Sequence, residues 1–423
     1  MLNTSTQDSS AVSGDAGTSL WHLIPLRDYH PPLEPASETV RSTLQTLWER
    51  LNVRSSEEDA IEAEPDAKAL DAIPQGLLEW IAPVPTWEGS CLAALDQALA
   101  PWLEAEAQDA GLQLLVAAPY SGMTDMVMHW CQAHEYAIIK PPTPKQIFEN
   151  SAEWMSQWEQ NEAERLVLPW LERCYLRHHA GLDLVRRLLD WLWETKRPCL
   201  LVTDSWAWRY LKCVYPLEAF PGYPLTLAAL DARALHTWFY RLAQHDGRDV
   251  FIFRQQNNGK RVIYPEPHVG QDAEDTPVSG YLRHLAARSR GIASVARAIW
   301  RDSLRIRTAA DLEKKIQEEE PAAEQGATIW VTAWEELELP VVATALNGDH
   351  AFILHTLLLH NGLPEELLAQ LLPISSTRVL RALRYLQTHK LVTIGKHGWQ
   401  VTPIAYPAIR SHLRNEGYLV DEL

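Results

Sequence analysis

The chain has 423 residues, 46% apolar and 22% charged, an ordinary globular composition with room for two or three domains. No apolar run approaches the about 18 residues of a membrane-spanning helix. With 38 basic against 55 acidic residues the net charge is −17, which excludes a general nucleic-acid coat.

Met1–Ser19 is polar, rich in Ser, Thr and Gly, and lacks the basic start and apolar core of a secretory signal, so a disordered tail is expected. The five cysteines (Cys91, Cys131, Cys174, Cys199, Cys213) are odd in number and form no C-x-x-C pair. That usage predicts reduced thiols and a cytoplasmic protein. A Pro-rich segment (Pro25, Pro31, Pro32, Pro35) precedes an amphipathic helix predicted over Ala36–Leu51, and the acidic stretch Ser55–Asp66 reads as a solvated linker.

A helix over Gly89–Ala107 leads to a short apolar strand, Leu112 to Val116, and then to Ala117-Ala118-Pro119-Tyr120-Ser121-Gly122-Met123-Thr124 at the start of another helix. Against the phosphate-loop pattern G-x-x-x-x-G-K-[ST], Gly122 and Thr124 are kept. Ala117 stands at the first glycine and Met123 at the lysine. A strand at Tyr136–Ile139 follows, then helices over Pro144–Gln157 and Ala163–Glu194. A third strand, Pro198–Asp204, is apolar and ends in an acid. A helix over Ala207–Val214, a strand at Tyr223–Leu227 and a helix over Asp231–Gln244 continue the alternation, which predicts an α/β domain with a parallel sheet. Asp249–Pro265 reads as a hairpin around an Asn258-Gly259 turn. Pro267–Pro277 is loop, Val278–Arg307 is helical with one break at Gly291, and Ala309–Gln325 is an acidic linker.

The C-terminal stretch has a different character. Helices are predicted at Asp349–Asn361, Leu363–Leu372 and Ser375–His389, then a two-stranded hairpin across Gly395-Lys396-His397-Gly398, then a helix over Pro403–Asn415. That order is the order of a winged helix-turn-helix. Leu367 to Asn415 contains no Asp or Glu but seven Lys or Arg, so the remainder carries 31 basic and 55 acidic residues, a net of −24. On the third helix Val379, Leu383 and Leu386 share a side, Arg381, Arg384 and Thr388 lie opposite, and Arg378 sits at the edge. With Lys390 and the turn residues Lys396 and His397, these are the candidate nucleic-acid contacts.

In the order of these motifs the chain resembles AAA+/STAND-like P-loop ATPases that carry a C-terminal winged helix, the origin-recognition-like arrangement. The resemblance implies a P-loop NTPase-like parallel sheet with a helical lid, followed by an α+β winged helix-turn-helix domain. It also implies the site residues. Asp204 takes the metal-side acid, while Ser205 replaces the water-activating glutamate. Gly291–Ala296 matches the sensor-two segment, with Ser294 at its arginine and Arg297 three residues later. Phosphoryl transfer depends on cations that neutralise the γ-phosphate. Losing one ammonium contact forfeits about 1.5–3 kcal/mol.

The resulting expectation is a non-catalytic pseudo-ATPase, with no cofactor beyond weak ATP or ADP and Mg²⁺ retention. It acts as a regulatory or nucleic-acid-binding protein through its winged helix. The alternative is a protein scaffold or adaptor, for instance one serving a membrane-associated complex, that does not bind DNA. The expected divisions are an N-terminal extension (1–85), an ATPase-like core (86–265), a lid with acidic linker (266–327) and a winged-helix domain (328–423). His129, Cys131 and His134, like Cys174, His178 and His179, offer no four-ligand face, so no metal is expected. The helically spaced tryptophans (Trp154, Trp158, Trp170, Trp191, Trp193) are expected in core or interface positions.

Overall fold

The computed structural model describes residues 20–33, 70–85, 87, 89–106, 111–220, 222–245, 248–249, 251–264, 277–308, 327–342 and 348–423. The expected tail at Met1–Ser19, the helix at Ala36–Leu51, the acidic stretches Ser55–Asp66 and Ala309–Gln325, and most of the Pro267–Pro277 loop lie outside them.

The main layer is a six-stranded sheet in the order Leu23–Pro25, Leu225–Leu227, Leu112–Ala117, Cys199–Asp204, Leu166–Leu168, Ala137–Ile138. All neighbours are parallel except Leu23–Pro25, which runs antiparallel on Leu225–Leu227 and covers that edge. The residues explain the placement. Cys199–Asp204 is buried at all six positions, and Leu112–Ala117 at five of six. Near-continuous apolar runs of this kind suit a parallel sheet covered on both faces.

Ala163–Glu194 is not a continuous helix. Leu166–Leu168 is a fully buried strand between two others, Leu171–Arg173 is a short 3-10 turn, and only Asp183–Thr195 is helical. Leu166, Val167 and Leu168 are consecutive apolar residues stopped by Pro169. They find partners on both sides, and sheet burial overrides the leucine spacing. The helix expected at Pro144–Gln157 is likewise two helices, Pro144–Phe148 and Ala152–Glu159, each with its own Thr143 or Ser151 cap.

The hairpin expectation also changes. Gln255–Lys260 does form a tight turn, but strand Phe251–Gln255 meets the following arm only at the Arg254–Arg261 bridge. Its main partner is Ala327–Val331, in parallel, within a second sheet ordered Phe251–Gln255, Ala327–Val331, Leu304–Ile306, Asp71–Ala72. The boundary drawn at 327/328 therefore falls inside a strand. Both sheets also take a strand from residues 1–85.

Helices Gly280–Ser289 and Ala293–Ser303 break at Gly291 as expected. Gly291 has φ 71°, and a Cβ there would lie 2.6 Å from the Leu230 nitrogen, so only glycine permits this approach. At the C-terminus the element order is as expected: helices Gly348–Leu359, Glu365–Leu371 and Ser376–Thr388, strands Val392–Gly395 and Gly398–Val401, then helix Tyr406–Asn415. A bridge between Leu363 and Trp399 ties the hairpin to the turn before the second of these helices. Buried residues from Trp21 to Leu423 form one continuous core. Trp154 and Trp158 belong to it, whereas Trp193 is 49% exposed.

Candidate functional site

The loop after strand Leu112–Ala117 lies at the carboxyl edge of the sheet, where open α/β sheets place ligands. Ala117 and Asp204 are register partners, so the loop and the acid ending Cys199–Asp204 are direct neighbours. Gly122 has φ 87° and precedes helix Met123–Ala133, as a phosphate loop requires. What surrounds this geometry differs from a phosphate site.

Three groups fill it from within the chain. The Trp87 indole packs on Gly122 so closely that an added Cβ would lie 2.1 Å from its Cζ2. Met123, at the place where the phosphate-loop pattern has lysine, is 1% exposed and takes a core position. Loop amides are also spent locally: the Ser121 N–H donates to the Ala118 carbonyl at 3.1 Å, and the Met123 N–H donates to the Ser121 hydroxyl at 3.4 Å. The Tyr120 hydroxyl donates to the Val401 carbonyl at 2.7 Å, binding the loop to the C-terminal hairpin. Burial, together with the charge of Asp204, raises that phenol.

The sensor-like segment closes from the other side. The Ser294 N–H donates to the Tyr120 carbonyl at 3.1 Å. Arg297 turns away from the loop, donating to the Ala82 and Pro83 carbonyls at 3.0 and 2.6 Å. With Arg301 it also pairs with Glu79, satisfying the C-terminal end of helix Gln75–Ile81. The cavity left between the loop and residues 291–293 measures about 10 Å³. That is about the room of one water, whereas small-molecule sites run to about 300–1,000 Å³.

Asp204 is 7% exposed, and its carboxylate caps helix Ser205–Val214 by accepting from the Trp206 N–H at 2.8 Å. Burial first, then the neighbouring acids Glu172 and Asp421, hold its proton affinity well above the usual carboxylate range. Asp421, from the segment after the last helix, is the second centre here. It accepts from the Ser205 hydroxyl at 2.7 Å, the Tyr406 hydroxyl at 3.1 Å and Arg410 Nε at 2.5 Å. The Trp206 indole in turn donates to the Tyr406 oxygen at 3.2 Å. Trp87, Tyr406, Asp421 and Glu172 were not legible as site residues. Each lies far along the chain from the loop, in a segment without a motif.

In the C-terminal region Val379, Leu383 and Leu386 are buried and Arg381, Arg384 and Thr388 exposed. Arg378 is engaged by Asp349, with its Nη2 at 2.6 Å and Nε at 2.9 Å from Oδ2. Arg381 and Arg384 have no ion pair among the described residues. Thr388 returns its hydroxyl to the Arg384 carbonyl, and Lys390 follows the helix at φ 57°. Lys396 and His397 are exposed but border the α/β body: burial, then the charges of Arg173 and Lys396, push His397 down to about 4.

Among the described residues no group of three or more His, Cys, Asp or Glu is placed to hold a metal, and no helix is long and apolar enough to cross a membrane. No family model and no curated protein matches the chain. Among solved structures it is similar to a chain of Drosophila ORC bound to DNA, at 12% identity and TM-score 0.30, covering 89% of this chain and 100% of that one. It is also similar to the Thermotoga maritima RuvB Holliday junction branch migration motor, at 15% identity and TM-score 0.29, covering 82% and 96%. At such values the likeness extends to neither mechanism nor binding.

Proposed function

We propose that this chain is a non-catalytic, AAA+-like pseudo-ATPase whose nucleotide position has become a structural joint. In this reading its C-terminal winged helix does the recognising, with nucleic acid as the partner. The observation that carries the first half is the filled loop: about 10 Å³ of space beneath the sensor-like segment, with the indole of Trp87 on Gly122. A triphosphate has nowhere to sit without moving Trp87 and residues 291–293. Asp204, already used as a helix cap among other acids, is poorly placed to give its charge to Mg²⁺.

The second half rests on the exposed guanidiniums of Arg381 and Arg384, on a helix whose opposite face is buried. The acidic remainder repels DNA within about a Debye length, ~8 Å at physiological salt. Contact is then confined to this face and strongly salt-dependent. Neutralising about five phosphates corresponds to a log–log slope of about −4.5. Because Arg378 is spent on Asp349 and the hairpin turn borders the body, a shallower slope is expected.

One observation favours the adaptor alternative. Leu380, 37% exposed, stands beside Arg381 and one helical turn from Arg384, and Ile394 on the hairpin is 63% exposed. Apolar groups among arginines suit a protein partner better than phosphate.

Two measurements test the reading. Fluorescent-ATP titration and a phosphate-release assay should give neither saturation nor turnover; turnover abolished by Asp204→Ala would overturn the pseudo-ATPase. Duplex DNA retention across a salt series should weaken in Arg381→Ala/Arg384→Ala. Equal, salt-insensitive retention by both forms turns the proposal toward the adaptor.

A further inference from the structure

A groove of about 500 Å³ opens beside the edge strand Leu23–Pro25, against helix Ser205–Val214, apart from the filled loop and from the C-terminal arginines. Its walls are aromatic, with Trp208, Phe220 and Tyr223 among them. Among the described residues only two Trp, Tyr or Phe side chains are exposed, Trp193 and Tyr223, the latter at 66%. Both belong to this surface. Tyr223 stands in the groove wall, and the Trp193 ring meets Phe220 edge-on with centroids 5.4 Å apart. Tyr215 stacks on the same Phe220 at 6.3 Å. A run of aromatic side chains that reaches solvent at two places is the mark of a contact surface.

Two further features say what covers it. The first is an unmet donor. The Trp208 indole N–H has no hydrogen-bond partner among the described residues, and unlike that of Trp158 it is not sealed from water. It calls for an acceptor from outside the chain. A helix spends its carbonyls on its own ladder, whereas a polyproline II segment leaves them free and presents prolyl rings to aromatic walls.

The second feature is charge. Lys212, over the Trp208 ring at 5.8 Å, is held by Glu218 at 3.2 Å and Glu422 at 3.0 Å. Its side chain is 13% exposed, against 76% and 53% for the two acids, so carboxylate faces the solvent. More acid lies beside Trp193. Asp190 accepts from the Tyr215 hydroxyl at 2.8 Å, and Glu194 follows one helical turn later. Burial first, then Asp190 and Glu194, push that phenol up. Against these acids stand the guanidiniums of Arg27, over the Tyr223 ring at 4.5 Å, and Arg209, paired with Glu422 at 2.7 Å. The balance is acidic and suits a cationic partner.

We infer that this surface binds an extended, proline-rich segment of another protein that carries lysine or arginine. Its carbonyls accept from Trp208, its prolyl rings lie against Tyr223 and Trp193, and its cations meet Glu218 and the acids beside Trp193.

Fluorescence anisotropy of the full chain with a labelled peptide of Pro-Pro-Arg repeats tests this, beside peptides of Pro-Pro-Glu and Gly-Ser-Arg repeats. Saturable binding is expected with the first and none with the second. The third, which keeps the cations and loses the rings, should bind at least about tenfold more weakly. Tyr223→Ala and Trp193→Ala, at exposed positions that leave folding intact, should each weaken binding of Pro-Pro-Arg repeats about tenfold. Glu218→Gln should weaken it less and flatten its dependence on salt. Absence of saturation in wild type, or equal affinity of wild type and both aromatic variants, would overturn the proposal. Gly-Ser-Arg repeats binding as tightly as Pro-Pro-Arg would overturn the proline assignment, and Pro-Pro-Glu binding as tightly would overturn the cationic one.

Discussion

Gly122 lies in the left-handed region with an indole against it, and Glu172 lies in the core with an unpaired oxygen; both make predictions at the scale of single residues. Gly122→Ala adds backbone strain and a clash with Trp87, together about 2–4 kcal/mol. In a Trp87→Ala background only the strain remains, about 1–2 kcal/mol. A urea-denaturation double-mutant cycle reads the difference, and an additive result would mean the indole does not sit on Gly122. For Glu172, burial pushes the carboxyl up to about 7, opposed by backbone hydrogen bonding and by the Arg173 guanidinium. The folded state then holds a proton that the unfolded chain releases near 4.5. This contribution is complete below that pH and lost as pH rises through about 7. His355 and His360, each pushed down to about 4 by burial, act in the opposite sense: their contribution is present above the unfolded value of 6.5 and lost as pH falls through about 4. Glu172→Gln removes the first effect and the push that Glu172 gives Asp204, which acts in the same sense, and leaves the effect of the two histidines. Relative to wild type the variant should gain stability between about pH 4.5 and about pH 7.5, by roughly 3 kcal/mol at most. A difference that does not change with pH would contradict the buried, proton-holding acid.

At the scale of elements, the C-terminal segment is stitched to the sheet through one carboxylate. The Arg410–Asp421 pair is 6% and 0% exposed at its side chains, and the same acid takes the hydroxyls of Ser205 and Tyr406. Removing one member of a buried pair strands the other charge. Asp421→Ala should therefore cost about 3–5 kcal/mol, and Arg410→Met in the same chain should recover much of it. Thermal melts of the two variants check this. Helix Ser205–Val214 begins at the Asp204 cap and presents Ser205 and Trp206 to this network. Its start was expected two residues later, because the cap and the buried Ser205 carry no periodic apolar signal.

At the scale of the molecule, one core joins both sheets to the C-terminal helices. The carboxyl edge of the main sheet is covered by Tyr406, Val401 and Asp421, so the two regions share a surface neither can expose without loss. Calorimetric unfolding should show one transition with equal calorimetric and van't Hoff enthalpies, and a chain ending at residue 342 should lack fixed tertiary packing. Two resolved transitions, or a natively folded truncated chain, would show that the regions are independent.

The amino-acid sequence by itself determined the elements whose residues carry a local signal. These are the apolar run and glycine turn at 112–122, the buried strand ending at Asp204, the break at Gly291, and the helices and hairpin after residue 348. It also determined which face of helix Ser376–Thr388 is buried, because a period of 3.6 needs no partner to be read. Only the tertiary structure decided that Leu166–Leu168 is a strand, that Phe251–Gln255 pairs with Ala327–Val331, and that the loop is filled. Those outcomes depend on partners distant in the chain, as Ser205 and Asp421 are, 216 residues apart. A pattern of apolar and polar residues says that a group will be buried. What it will be buried against is set by packing of the whole chain.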